Sequence, residues 1–441
     1  MKWLIGALGA LILLVAAAVA VPFLLPLEDY IPRIEKAVSD RLNEPVKIRK
    51  IRLVAFPLPH AVIDGITVGK SEDLKVGKVT VTPEILSLLS ATKVIRSIEI
   101  DSLLMTQKAI EMIPLWSKQE GPVSQPPAVR IKSLRLEDAL VKLNAANFGP
   151  FDARVLLDEA GSPAEASMET RDGKLKALVR PEKSAYRITA NAKGWKAPVG
   201  PPVVFDELNV EGVATLADAT FNRITAKLYG GTASGNASIG WQKGMQVKGS
   251  FDLQQVELTN LVPILSPGTK ISGRLSAKPV FSASAKQAAG LMNALRLATP
   301  FDVQGGVLHG VDIQRAAMTL GKQGTSDGET RFDQLSGHLA LEQSTYRFTQ
   351  LRIASGALGA EGQVGVSPKK ELSGRVTAQV KSLGTSVGIA LNVAGTVQSP
   401  TVMPTGGTIA GAALGTVLLP GIGTGVGAKA GQMLEGLFGK K

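Results

Sequence analysis

Histidines are the first residues to test for chemistry, because a neutral imidazole serves as a general base and as a metal ligand. The chain has three, His60, His309 and His338. Each sits among apolar, proline or glycine neighbours without a cysteine, aspartate or glutamate at ligand spacing, so each reads as an ordinary surface or core histidine. No cysteine occurs in the 441 residues, which removes thiol catalysis, thiolate metal sites and disulfides. There is no Walker loop, dinucleotide fingerprint or Gly-x-Ser-x-Gly elbow. The pairs Gly230-Gly231 and Gly305-Gly306 suit hairpin turns better than phosphate cradles. The expectation is a protein that is not an enzyme and uses no cofactor and no metal.

The net charge of +12 is the remaining polar signal. Lysines and arginines are spread through the chain, and aromatics make up only 5%. A nucleic-acid surface would cluster them, so the excess fits anionic lipid headgroups better.

What recurs at regular spacing is apolar. From Val46 the period is two, the signature of strands. Ile48-Arg49-Lys50-Ile51-Arg52-Leu53 resembles Ile95-Arg96-Ser97-Ile98-Glu99-Ile100 and Ile131-Lys132-Ser133-Leu134-Arg135-Leu136. Each copy breaks its alternation with two polar residues. Such strands must bury their apolar side. One solution is a curled sheet whose apolar face lines a groove able to hold an acyl chain. Its lining would be Ile48, Ile51, Leu53, Val79, Val81, Ile95, Ile98, Ile100, Ile131, Leu134 and Leu136. A pair of β-sandwiches with dry cores satisfies the same pattern.

The elements around these strands are legible too. Trp3 to Leu27 carries no charge and exceeds the roughly 20 residues a membrane helix needs. Trp3, Leu4, Leu11, Leu14, Val21 and Leu25 would face lipid. Ala18-Val19-Ala20 offers a signal-peptidase site, but the apolar run continues past it, which favours a permanent anchor over a cleaved leader. The long remainder would then lie outside the cytoplasm, although the flanking cations Arg33, Lys36 and Arg41 do not themselves set that orientation. Tyr30 to Asn43 repeats apolar residues at helical spacing and predicts a helix beside the membrane or on the sheet. Asp64-Gly65 is a turn signal, and Thr82 is a candidate N-cap for a short helix over Ile85 to Leu89.

Residues 119–128, rich in Pro, Gly, Ser and Gln, read as a linker. Beyond it, turn residues every 8–12 positions imply an all-β region to about residue 404. Phe205-Asp206-Glu207-Leu208 repeats as Phe332-Asp333-Gln334-Leu335. Phe221, Ile224 and Gly235 repeat as Phe348, Leu351 and Gly362 at the same offset. Ala285 to Ala298 has helical spacing and predicts a helix lying on the sheet. In the uncharged stretch near the end, Gly407, Gly411 and Gly415, then Gly423, Gly427 and Gly431, fall four apart. That spacing lets two helices approach closely and predicts a hairpin over 405–441, each arm too short to cross a bilayer. The expected organisation is an anchor (1–27), a first β region with its helix (28–118), the linker (119–128), a second β region with the internal repeat (129–404) and the hairpin (405–441).

The stretch LEDYIPRIEKAVSDRLNEPVKIRKIRLVAFPLPHAVIDGITVG, Leu27 to Gly69, resembles the start of AsmA-family proteins. So do Arg274-Leu275-Ser276, GGVLHGVDI (Gly305 to Ile313), TRFDQLSGHLAL (Thr330 to Leu341) and SGALGAEGQVGV (Ser355 to Val366). The resemblance implies a single-pass inner-membrane protein of a Gram-negative envelope with its bulk in the periplasm. It implies an elongated, curled antiparallel β-sheet with a hydrophobic groove and a few short helices, without catalytic residues. The implied partners are inner-membrane lipids, phospholipid acyl chains and envelope or outer-membrane assembly proteins. The implied roles are transfer of glycerophospholipids towards the outer membrane or, alternatively, a scaffold in outer-membrane protein assembly.

Overall fold

The computed structural model describes residues 31–109, 112, 129–143, 147–198, 200–215, 217–319, 328–356, 358–382, 385–408, 429 and 432. The anchor residues Trp3, Leu4, Leu11, Leu14, Val21 and Leu25, and the linker 119–128, lie outside them. Among the described residues no helix is long and apolar enough to cross a membrane. The chain is mainly β, with antiparallel strands and few, short helices. It divides into two compact units at Asn191/Ala192.

The first unit opens with helix α1 (Ile31–Leu42), over the stretch where helical spacing predicts one. Pro32 falls in the first turn, where a missing N–H costs nothing. Strands β1 (Val46–Val54), β2 (His60–Val68), β3 (Leu74–Pro83) and β4 (Lys93–Thr106) follow as an antiparallel meander. Among the described strands β1 pairs only with β2, so its other edge would leave N–H groups unmet. Helix α1 meets two of them: Ser39 Oγ accepts from the Val46 N–H (2.9 Å) and Glu35 Oε1 from the Ile48 N–H (2.7 Å).

The short strand β5 (Val129–Ile131) and β6 (Ser133–Lys142) run parallel to β4. Strands β7 (Asn147–Leu157), β8 (Pro163–Thr170) and β9 (Leu175–Glu182) resume the antiparallel order, and β10 (Ala185–Lys196), paired with β9, contains the division between the units. The parallel pair explains the sequence repeat. Ile95, Ile98, Glu99 and Ile100 lie beside Ile131, Leu134, Arg135 and Leu136, residue for residue.

The second unit contains β11 (Val204–Ala214), β12 (Asp218–Leu228), β13 (Gly231–Gly240) and β14 (Met245–Glu257). A strand interrupted at Lys278-Pro279, β15 (Arg274–Ala277) and β16 (Val280–Ala285), joins β14 to β17 (Arg296–His309). Strands β18 (Glu329–Glu342), β19 (Thr345–Ala354), β20 (Leu358–Val366), β21 (Leu372–Ser382), β22 (Thr385–Gly395) and β23 (Pro400–Pro404) complete it.

The long-offset repeat is structural. The β12–β13 register shifts between Phe221 and Ile224, and Ile224 pairs with Gly235. The β19–β20 register shifts between Phe348 and Leu351, and Leu351 pairs with Gly362.

Two helices bury apolar faces in this unit. Helix α2 (Leu258–Leu265) sets Leu258 and Val262 against Val303, Phe332 and Leu275. Helix α3 (Ile313–Met318) sets Ile313, Ala316 and Ala317 against Leu358, Ala378, Ile389 and Leu391. Asp312 caps α3 by accepting from the Arg315 N–H (2.8 Å). The Thr330 hydroxyl accepts from the Ile313 N–H (3.0 Å) and donates to the Val311 carbonyl (2.8 Å).

Three expectations are corrected. The helix over Ala285 to Ala298 is absent: a 3-10 turn covers Ala288–Gly290, and β17 begins at Arg296 because pairing with β18 fixes that segment. Gly290 in its centre also disfavours a helix. Asp64-Gly65 is not a turn but lies inside β2. The 3-10 turn Ile85–Leu89 is preceded by Glu84, not capped by Thr82, which β3 takes up.

Candidate apolar binding face

In the first unit, register carries apolar residues across eight strands in unbroken rows. One row runs Ile51, Ile63, Val79, Ile100, Leu136, Ala153, Met168, Ala177. The next runs Leu53, Ala61, Val81, Ile98, Leu134, Val155, Ala166, Val179. Every member of the second row is half-buried, as are most of the first. With strands about 4.8 Å apart, a row extends roughly 34 Å along the sheet. Residues one position along belong to the other face, which is mostly polar: Arg52, Val62, Thr80, Glu99, Arg135, Arg154, Ser167 and Leu178 form its matching row.

The two-residue polar break of the sequence has a geometric role. Ile48/Ile51, Ile66/Ile63, Val76/Val79 and Leu103/Ile100 are all spaced by three, and they pair across β1 to β4. Strict alternation would put members of such a pair on opposite faces. In β2 and β4 a residue at positive φ between them turns the strand back, Gly65 (φ 67°) and Ser102 (φ 58°), and Asp138 (φ 58°) does the same in β6, while β1 and β3 follow in register without one. Small or short polar residues tolerate that conformation best. The kink thus runs in line across the sheet and keeps one face apolar on both sides of it.

Ion pairs mark the polar side of the kink. Lys78 Nζ lies 3.0 Å from Asp101 Oδ2 and Arg52 Nε 3.1 Å from Asp64 Oδ2. The Lys78 hydrogen bond, with help from the Ser102 hydroxyl, holds the Asp101 carboxyl below its ordinary value. At the strand ends, Lys132 lies 2.6 Å from Glu84 and lowers that carboxyl's pKa. Lys108 lies 2.7 Å from Asp73, which raises the lysine's.

Of the eleven lining residues expected from the sequence, Ile51, Leu53, Val79, Val81, Ile98, Ile100, Leu134 and Leu136 fall in the two rows. Ile48 lies across the kink, in a row with Ile66, Val76 and Leu103. Ile95 and Ile131 pair with each other at the strand ends, beyond the register shift at Thr82/Pro83. Sequence reasoning missed Ile63 and Ile66, though they carry the same three-residue spacing. It also missed Ala153, Ala166 and Ala177, whose small side chains give little signal.

The face in the second unit is built differently. Phenylalanines of one strand lie over glycines of the next: a Cβ on Gly235 would sit 2.6 Å from Phe251 Cδ1, and one on Gly249 2.8 Å from Phe281 Cζ. The Phe251 and Phe281 rings stack with centroids 6.0 Å apart.

Elsewhere, His309 has a carboxylate partner after all. Its Nδ1 is 3.0 Å from Glu329 Oε1 on the paired strand, a proximity that twenty residues of separation concealed. Among the described residues no three His, Asp or Glu side chains gather as a metal site. Of the hairpin glycines, Gly407 lies in a helical stretch at 406–408, while Gly411, Gly415, Gly423, Gly427 and Gly431 lie outside the described residues. Gln432 donates to Thr408 Oγ1 (2.9 Å) and to the Gly388 carbonyl (3.3 Å), so one point of the C-terminal stretch rests on β22.

Comparison with curated proteins and with solved structures finds no match. The model of the AsmA family matches residues 1–111, the part of the chain that holds α1, the meander β1–β4 and the in-line kink, and the AsmA resemblance read from Leu27 to Gly69 is thereby supported.

Proposed function

We propose that the chain binds glycerophospholipid acyl chains on the apolar face of its first unit and passes them through the cell envelope towards the outer membrane. In this reading Trp3–Leu27 anchors it in the inner membrane, the bulk lies in the periplasm, and it works by binding without catalysing a reaction. The supporting observation is the pair of unbroken apolar rows over eight strands, most of whose members are half-buried; the described helical residues beside these strands are α1, the 3-10 turn and residues 107–109. An apolar sheet face needs a cover. A row of roughly 34 Å is about twice a lipid leaflet's hydrocarbon depth of roughly 15 Å, enough to receive an acyl chain laid across the strands. Each methylene taken from water contributes about 0.8 kcal/mol. The match to AsmA proteins over residues 1–111 is in keeping with an envelope role.

The test is chemical. The part of the chain after the anchor, residues 28–441, is purified without detergent, extracted, and the extract examined by mass spectrometry. Phospholipid at a fixed ratio to protein is expected. Its complete absence would abandon this reading in favour of a scaffold in outer-membrane protein assembly, which needs only surface contacts.

A further inference from the structure

One end of the first unit is apolar in a way the lipid-carrying face does not explain. The loop between β1 and β2 and the loop between β3 and β4 both emerge beyond the row Leu53, Ala61, Val81, Ile98. They expose Phe56 (85%), Leu86 (82%) and Leu89 (92%), together with Leu58, Ile85 and Leu88. The turn at the opposite end, Gly69 to Asp73, is polar. Six large apolar side chains held in water at one end of a sheet mark a contact site.

Three observations point to a bilayer as the occupant. First, α1 runs antiparallel to β1: Ser39 meets Val46 while Glu35 meets Ile48. Four helical residues and two strand residues both advance about 6–7 Å. The start of α1, into which the uncharged run Trp3–Leu27 leads, therefore points to the end that carries Phe56. Second, α1 docks on β1 through its polar residues and leaves Ile34 and Val38 exposed on another side of the helix. Third, the segments flanking the loops hold four cations, Lys93, Arg96, Arg130 and Lys132; Lys132 pairs with Glu84 (2.6 Å) and Arg130 with Glu159 (3.6 Å), so the surplus is Lys93 and Arg96. Lys93 binds the Leu88 and Ser90 carbonyls (2.7 and 2.6 Å), which leaves its charge uncompensated beside the exposed leucines. Further across the sheet the same end turns polar, at Asp158 to Ser162. The apolar tip is confined to the strands nearest α1.

We infer that loops 55–59 and 84–92, with the Ile34/Val38 side of α1, dip into the anionic bilayer that holds residues 3–27. Apolar side chains enter the acyl boundary while the lysines and arginines meet headgroup phosphates. This docking goes beyond lipid carriage and stands whether or not the face transports lipid.

The absence of cysteine makes the test direct. Phe56→Cys, Leu86→Cys and Leu89→Cys, with Lys70→Cys in the polar turn as control, are labelled with a fluorophore. The full chain is reconstituted in vesicles of phosphatidylethanolamine and phosphatidylglycerol. Labels at 56, 86 and 89 are expected to be quenched by a lipid-borne nitroxide and shielded from iodide, and the label at 70 the reverse. Leu86→Asp with Leu89→Asp should abolish nitroxide quenching at 56 while co-purified phospholipid is unchanged, which separates this docking from lipid carriage. Equal iodide quenching at 86, 89 and 70 would overturn the inference. So would iodide shielding without nitroxide quenching, which would mean a protein partner instead.

Discussion

The two units use one strand vocabulary and finish it differently. In the second, α2 and α3 are inserted between strands and bury their apolar sides on the sheet, and Leu391, Ala378 and Ala316 reach complete burial. In the first, Ala109 and Ala139 are fully buried as well, but the rows from Ile51 to Ala177 and from Leu53 to Val179 stay largely half-buried. The apolar face of a strand therefore does not decide between dry core and binding surface. In the second unit a short helix of six to eight residues placed between two strands closes the core.

The sharpest test of that difference is a charge placed in each face. Leu391→Asp puts an unpaired carboxylate in a fully enclosed position and should cost more than about 4 kcal/mol, enough to unfold the second unit. Ile100→Asp, on the half-buried row, should cost about 1–2 kcal/mol because the carboxylate keeps access to water. Denaturant titration of both variants gives the comparison, and equal losses would make the first face a core like the second.

A functional version follows. Ile98→Asp with Leu134→Asp places two carboxylates side by side in one row. Phospholipid recovered with the protein should fall by roughly tenfold or more, since a lost acyl contact of even 1.4 kcal/mol is a factor of ten, while the far-UV spectrum is kept. Undiminished recovery would move the binding surface elsewhere.

Within the second unit, Gly235→Val should cost about 1–3 kcal/mol because the new side chain meets Ser250 backbone and the Phe251 ring. Gly240→Val, with open space around it, should stay within about 0.5 kcal/mol. Matching denaturation midpoints would deny that ring-over-glycine packing organises that face.

The smallest effect concerns acid. The Lys78 hydrogen bond depresses the folded-state pKa of Asp101. A depressed carboxylate contributes stability that is full above the ordinary aspartate range and is lost as pH falls through the folded value. Both side chains are partly exposed, so the contribution is small and screened by salt. Asp101→Asn should flatten the decline of the denaturation midpoint on acidification from about pH 5 to 3. An unchanged slope would remove this pair from the account.

Most strands of the first unit were legible because their signal is local: alternation, and the three-residue spacing that marks the kink. Of the three similar stretches, Ile95 to Ile100 and Ile131 to Leu136 are parallel neighbours while Ile48 to Leu53 pairs with β2, so the repeat alone did not say which strands adjoin. Helices α2 and α3 were not legible. Helix α2 contains Pro263, and α3 spans too few residues to show a period. Both owe their existence to contacts with strands distant in sequence, such as the Thr330 hydroxyl at the start of α3. The far half of the apolar rows was hidden for a related reason: Ala153, Ala166 and Ala177 matter through register, which is a property of pairs of strands.

The side chains of Glu35 and Ser39 that occupy the Val46 and Ile48 N–H groups have a consequence for assembly. An open strand edge is a template on which another chain can grow. Here two donors at the start of the first strand, the Val46 and Ile48 N–H groups, are taken by the chain's own helix, so a second copy or an extended peptide cannot add along that part of the edge. Strand-by-strand growth is thereby blocked at the start of this edge, where a partner must engage through loops or through a face. Loss of Glu35 and Ser39 would open that part of the edge to such pairing without any change in the strands themselves.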